Sequence, residues 1–378
     1  MRSALDTVTN GEPAGGRRPR GLFIAEDSLG NRTVYENMKA AAIGSRTDVE
    51  VVSDAARGIY RRLPFPKSIR STLTLRRDVV RFVDRSRPDY VVTNTHKPVV
   101  LAHDLVSRVP TAIMLDATPI QFDALGYLDD RTDRIPGFPA LKYRLVRALF
   151  HRAAALLPFS SWAGRSLVED YGVPEDRVFV TPPGVDTEAW HPGATQARDL
   201  QELLFIGGDF ERKGGPELLD WFRKAGRERA RLTLVTRAPV PEEPGIRVVQ
   251  AASNSPELRE LVRSADIFVL PTRADCFSHA TCEAMASGVP AVVTDVGGIA
   301  DLVDDGVTGY LIPPLDAAAL ANALDALLSS ESLRRRMGAA ARERAVAMFD
   351  SRRAFERVTA IGASIADARP RGRRAGDE

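Results

Sequence analysis

Short apolar runs alternate along this chain with stretches in which apolar residues recur every three or four positions, a pattern that predicts strands and helices in turn. GLFIAED, from Gly21, reads as a strand. A turn with Gly30 and Asn31 follows, then an amphipathic helix through the first alanines of KAAAIG. Further strands are expected at 49–52, in DYVVTNT from Asp89, in PTAIMLDAT from Pro110 and in LLPFS. Helices are expected over 99–108 and 140–155. Residues 160–192 predict a helix, a strand and a turn built on Pro182, Pro183 and Gly184. A second series opens with a strand at 202–207 and has further strands near Leu232 and Ile246 and a helix over 255–265. Three helices, 316–329, 333–348 and one from 350 to about 366, close the ordered chain.

The richest stretch is 265–314. Its apolar run 267–270 stops at Pro271, as a buried parallel strand would, and a polar loop with Asp275 follows. Ser278 is placed to cap a short helix that carries Glu283 and stops at Gly288 and Pro290. A second run, 290–294, leads to Gly297 and Gly298, where backbone can approach a neighbour closely. The order is a βαβ unit, and in open α/β sheets ligands sit outside the carboxyl ends of the strands.

Two successive βα series imply an α/β protein with two Rossmann-like domains. The expected division is a disordered tail 1–20, a first domain 21–193, a second 194–350, a C-terminal helix 351–366 packing back toward the first, and a disordered basic tail 367–378. A length of 378 residues supports two cores, and 44% apolar with 27% charged residues is ordinary for a globular protein. A net charge of +2 is too small for a nucleic-acid binder. No apolar run approaches the roughly 20 residues that cross a bilayer, and the first residues have no signal-peptide core, so a cytoplasmic location is expected. The only two cysteines, Cys276 and Cys282, have no metal-ligand spacing and read as small apolar fillers.

Charge distribution adds one feature. Residues 57–87 hold ten basic side chains against Asp78 and Asp84, interleaved with apolar residues. The segment reads either as a solvated arginine face or as a peripheral contact with an anionic membrane at its inner face. Pro64 and Pro66 argue against a long amphipathic helix there.

Candidate chemistry gathers at strand ends. Arg212 and Lys213, with Gly207 and Gly208 before them and Gly214 and Gly215 after, offer cations and open backbone amides to a diphosphate. Asp275 and Glu283 can accept hydrogen bonds from sugar hydroxyls, and the amides around Phe277, Ser278, His279 and Ala280 can meet a phosphate. His279 has no acid–base partner in the pattern and reads first as a capping or packing residue. Asp116 falls just past a strand end, on the same rim as Gly30. No G-x-G-x-x-G is present, which counts against a nicotinamide dehydrogenase.

The text D-CFSHATC-E, followed by AMASGVP, TDVGG and DGVTGYLIPP, together with FIGGDFERKG, YGVPEDRV and PGVDTEAWHP, resembles the retaining glycosyltransferases of family 4, the "glycosyl transferases group 1" proteins of GT-B fold. The resemblance implies two Rossmann-like domains facing across a cleft, a nucleotide-diphosphate sugar held mainly by the second and an acceptor mainly by the first. Lys213 would hold the diphosphate, Glu283 the ribose and Asp275 the sugar, with the 277–280 backbone beside them. It implies no metal, no cofactor beyond a UDP- or GDP-linked donor, retention of anomeric configuration, and an acceptor that is a glycan, a glycolipid or a small molecule. Three positions depart from the family pattern. Asp275 stands where a glutamate is usual, roughly 1.5 Å shorter in reach. Gly208 stands where an arginine is common, with Arg212 nearby to supply the charge. Leu115-Asp116 stands in place of His-Asp, leaving Asp116 as a candidate for contact with sugar or acceptor. A sugar-nucleotide-binding protein without catalysis and a sugar-nucleotide epimerase are the alternatives.

Overall fold

Val, Ile and Leu crowd the short strands on both sides, and such strands need helices over each face of a parallel sheet. The computed structural model describes residues 19–27, 31–53, 67–126, 136–193 and 198–368. Gly30, residues 57–66, most of both expected tails, and much of the 122–139 segment and of the linker lie outside these residues. The described chain forms two compact units. One holds the chain to Gln121, 128–181 and the end from Ala354, and the other holds 122–127 and 182–353.

In the first unit, β1 (Gly21–Asp27), α1 (Asn31–Ala41), β2 (Thr47–Ser53), α2 (Lys67–Ser86) and β3 (Tyr90–Thr93) come first. A 3-10 turn at Lys97–Val99 follows, then α3 (His103–Arg108), β4 (Thr111–Leu115), α4 (Pro119–Ala124), α5 (Phe138–Arg152), β5 (Ala155–Pro158) and α6 (Ser161–Glu169). The sheet is wholly parallel, in the order β2-β1-β3-β4-β5, so the chain switches direction across the sheet between β1 and β3. Leu22, Ile24, Val91, Ile113 and Leu156 pack with Leu75, Val79, Leu105, Leu149 and Phe150 in one buried core.

One expectation changes here. The prolines do not prevent a long helix: α2 begins right after Pro66 and runs for 20 residues, because a proline just before a first turn removes no helical hydrogen bond. The strand expected within 160–192 is an extended segment beside β5, bridged in parallel from Leu156 to Val178, with Phe179 N donating to Leu156 O at 2.9 Å and Thr181 N to Pro158 O at 2.8 Å.

The second unit contains β6 (Gln201–Ile206), α7 (Gly215–Trp221), β7 (Ala230–Val235), β8 (Ile246–Val249), α8 (Pro256–Arg263) and β9 (Ile267–Leu270). Then come α9 (His279–Ala286), β10 (Ala291–Thr294), β11 (Gly309–Ile312), α10 (Ala317–Ser329) and α11 (Glu331–Met348). Its parallel sheet is ordered β11-β10-β9-β6-β7-β8, with the switch between β6 and β9. Residues 182–193 pack within this unit, where Val185 pairs with Asp350. The last helix, α12 (Ser351–Asp367), returns to the first unit, and Gly362 lies so close to Tyr90 that a Cβ would meet the ring at 2.2 Å. No helix among the described residues is long and apolar enough to cross a membrane.

Candidate functional site

Sheet topology alone selects the carboxyl ends of β6 and β9, because the loops on either side of a switch point diverge and leave a crevice. The loop after β6 carries Gly207, Gly208, Arg212 and Lys213, and the loop after β9 carries Asp275. The structure brings these together: the Lys213 ammonium and the Asp275 carboxylate form an ion pair, both largely buried. Backbone contacts fix the geometry. Gly214 has φ of +79°, and a Cβ there would come within 1.9 Å of the Pro271 carbonyl oxygen. Gly297 has φ of +58°, its absent Cβ would lie 1.9 Å from the Asp275 carbonyl oxygen, and the Gly298 amide donates to Cys276 O at 2.9 Å. Only glycine permits either approach. Around Gly208, by contrast, a Cβ would meet nothing within 4 Å, so the strand-end backbone is open there.

Arg212 is placed differently from Lys213. Its Nη1 donates to Ala274 O at 2.8 Å and its Nε to Asp209 at 3.0 Å, while Thr272 Oγ1 donates to Ala274 O at 3.0 Å. The guanidinium therefore braces the loop that presents Asp275. This structural role was not readable from the charge alone, and Asp209 and Thr272 were not singled out by the sequence.

Helix α9 begins where the pattern put it. Ser278 Oγ accepts from the Thr281 amide at 3.2 Å and from Thr281 Oγ1 at 2.8 Å, a cap worth about 1 kcal/mol. Cys282 N bonds Ser278 O, so among the described residues the first-turn amides of His279 and Ala280 take no acceptor. Phe277 is buried and meets the His279 ring edge-on at 5.5 Å. Burial pushes His279 down to about 4, with Asp275 opposing and Lys213 reinforcing the shift, so the imidazole is neutral at pH 7. Its Nδ1 is buried without a partner. One turn on, Glu283 is 4% exposed, and burial lifts its carboxyl to about 8 against the partial opposition of Arg259. Cys276 and Cys282 are both buried and in no disulfide, and burial pushes the Cys282 thiol far up. No group of three or more His, Cys, Asp or Glu side chains among the described residues could hold a metal.

Asp116 lies in the first unit, half-buried, one residue beyond β4. The loop it opens is held by Thr118, whose hydroxyl shares a 2.7 Å hydrogen bond with Ser166, and Ser166 donates to Asp170 at 2.6 Å. The switch point of this first sheet holds a second pair that the sequence reading missed. Glu26, at the end of β1 and wholly buried, accepts from Lys97 Nζ at 3.1 Å and from Thr95 Oγ1 at 3.0 Å. Its signal was an acid closing the first strand and a lysine following the third.

Residues 40–189 match the model of Glycosyltransferase Family 4, and residues 243–344 match that of Glycosyl transferases group 1. With two parallel-sheet units of the kind that GT-B structures contain, the chain belongs to the family 4 glycosyltransferases. It is 32% identical over 217 residues to a D-inositol 3-phosphate glycosyltransferase of Pseudarthrobacter chlorophenolicus, covering 51% of this chain and 52% of that one. It is 32% identical over 225 residues to an MMP alpha-(1->4)-mannosyltransferase of Mycolicibacterium hassiacum, covering 56% and 54%. The chain thus spans about half the length of the curated relatives it matches. In fold it is similar to sucrose-phosphate synthase from Thermosynechococcus elongatus, with a TM-score of 0.75 at 18% identity over 93% of this chain and 100% of that one. Anabaena HepE in complex with UDP-glucose gives 0.69 at 16% identity, over 92% and 100%.

Proposed function

We propose that this protein transfers a sugar from a nucleotide-diphosphate sugar, UDP- or GDP-linked, to an acceptor hydroxyl, with retention of anomeric configuration and without a metal. The observation that carries the reading is the meeting of Lys213, Asp275 and the amino end of α9 at the switch point between β6 and β9. A diphosphate there gains the ammonium of Lys213, the open backbone at Gly208 and the amides of His279 and Ala280. Those groups meet the charge that grows on the leaving oxygen as its bond to the anomeric carbon breaks. Asp275 accepts from a sugar hydroxyl and holds the ring in place while the acceptor oxygen attacks the anomeric carbon and its proton passes to the departing diphosphate oxygen. Glu283 accepts from the ribose. His279, neutral and without a partner for Nδ1, lines the site as a neutral hydrogen-bonding or packing group. Asp116 serves the acceptor. One named relative is a D-inositol 3-phosphate glycosyltransferase and the other an alpha-(1->4)-mannosyltransferase, which supports a small or saccharide acceptor here. Two buried free thiols accord with a cytoplasmic setting.

Membrane contact would run through α2, where Arg76 donates to Leu101 O and Asp104, Arg77 to Asp78, and Arg85 pairs with Glu50. These internal partners favour the solvated-face reading. Arg81 is the side chain to reverse in a vesicle test, because changing Arg76 would also break contacts that hold the fold.

A thermal-shift screen of UDP-, GDP- and ADP-sugars tests the reading. One base class should raise the melting temperature in proportion to ligand excess, and the shift should vanish in Lys213→Met. Equal shifts with all three, or none, would contradict it.

A further inference from the structure

The nucleotide-sugar site proposed above leaves the imidazole of His279 without a task. His279 opens α9, and Glu283 lies four residues further along the same helix. Residues four apart stack on one helix face, so His279 stands on the face of α9 that carries Glu283. Asp275 lies four residues before His279, on the loop after β9. That loop is tied down, because the Gly298 amide donates to Cys276 O at 2.9 Å and Gly297 packs against the Asp275 carbonyl. In a nucleotide sugar the diphosphate joins the ribose to the sugar. With Glu283 on the ribose and Asp275 on the sugar, the stretch between them, where His279 stands, meets the diphosphate.

The state of the ring suits that place. Phe277 packs edge-on against it at 5.5 Å between ring centres. Nδ1 is enclosed in protein without a hydrogen-bond partner, although the residue as a whole is partly exposed. Nε2 also has no partner among the described residues, but it is not enclosed. Orphaned buried N–H groups are rarer than under-satisfied acceptors, so the proton belongs on Nε2, at the open edge of the ring. Burial keeps the imidazole neutral at pH 7. Lys213 is occupied by Asp275 in the unliganded protein, whereas the Nε2–H is open.

We propose that the His279 side chain is a diphosphate ligand in its own right, giving its Nε2–H to a non-bridging phosphate oxygen of the nucleotide sugar. The inference rests on the nucleotide-sugar reading and goes beyond it by assigning a contact to the imidazole as well as to the α9 backbone. The bond strengthens as negative charge grows on the departing diphosphate, so it serves transfer as well as binding.

Two substitutions separate this role from packing. His279→Phe keeps a ring against Phe277 and removes the N–H, while His279→Gln gives up the ring and brings an amide N–H close to the place of Nε2. The measurement is calorimetric titration with UDP, GDP, UDP-glucose and GDP-mannose, with the melting temperature of each variant taken alongside. For the nucleotide that wild type binds, His279→Phe should weaken the free diphosphate and the nucleotide sugar alike by roughly tenfold, and His279→Gln should stay within about threefold of wild type. Should Phe lower the melting temperature, His279→Met replaces it as the variant without an N–H, with the same expectation. The reverse order, tight binding by His279→Phe and loss in His279→Gln, would make His279 a packing residue and overturn the proposal. Loss confined to the nucleotide sugars would overturn it by moving the ring to the sugar. Lys213→Met keeps the two readings distinguishable: if it abolishes binding while His279→Phe and His279→Met do not weaken it, the site stands and the imidazole contact alone fails. No binding of any of the four ligands by wild type would overturn the nucleotide-sugar reading and this proposal with it.

Discussion

Lys213 and Asp275, 62 residues apart in sequence, form an ion pair across the switch point between β6 and β9. The lysine that suits a diphosphate is therefore neutralised in the unliganded protein by the carboxylate that suits a sugar. Ligand binding must exchange one partner for two: phosphate oxygens take the ammonium, and a sugar hydroxyl takes the carboxylate.

That exchange predicts opposite effects at Asp275. In Asp275→Asn the competing charge is gone, so UDP should bind several-fold more tightly, while sugar transfer falls roughly a hundredfold because the ring is no longer held. Calorimetry with UDP and initial rates with the cognate donor measure the two arms. Weaker UDP binding in this variant would mean that Asp275 does not compete for Lys213.

Arg212 separates bracing from ligation. With its guanidinium on Ala274 O and Asp209, Arg212→Ala should lower the melting temperature by several degrees and kcat by tenfold or more, while the Kd for UDP changes less than threefold. A large loss of UDP affinity in a protein of unchanged stability would restore Arg212 to the diphosphate.

Glu283 links stability to pH. Its carboxyl is raised by burial from 4.5 to about 8, so between those values the folded chain keeps a proton that the unfolded chain has lost. Its contribution is complete below about pH 4 and is lost as pH rises through about 8, with a slope of up to about 1.4 kcal/mol per pH unit. Urea unfolding at pH 5, 6.5, 8 and 9 should show that decline for wild type, and Glu283→Gln should remove it. Identical pH dependence in the two proteins would contradict the buried, protonated state.

Two glycines should respond differently. Gly297→Ala combines a left-handed backbone with a Cβ 1.9 Å from the Asp275 carbonyl, and should cost about 1–3 kcal/mol in strain alone, with turnover reduced at least tenfold. Gly208→Ala meets nothing within 4 Å and should leave stability unchanged, while weakening UDP binding if the ligand approaches that backbone. Chemical denaturation and UDP titration of both variants check the contrast.

The legible parts of this molecule are those set by local pattern. Ile267–Leu270, the Ser278 cap and the stop at Gly288 follow from strand composition, capping chemistry and helix breaking, and all three appear in the structure. Helix α2 departs from the proline pattern because a proline breaks a helix from within, whereas one just before a first turn is harmless. The 178–181 stretch has strand composition and lies beside β5, where the Phe179 and Thr181 amides donate to Leu156 O and Pro158 O. The Lys213–Asp275 and Lys97–Glu26 pairs are products of strand order, which places distant loops side by side and leaves no trace in local spacing. For the same reason Arg212 and Lys213, adjacent in the chain, could not be separated into brace and ligand until the Ala274 carbonyl was seen under the guanidinium.

The most direct test of the central claim is nucleoside diphosphate release from a panel of UDP-, GDP- and ADP-sugars, followed chromatographically with and without phosphorylated and unphosphorylated polyol acceptors. The account predicts acceptor-dependent release from one donor class, reduced at least a hundredfold in Lys213→Met and in Asp275→Ala. Full turnover in either variant, or no release by wild type from any donor with any acceptor, would contradict it.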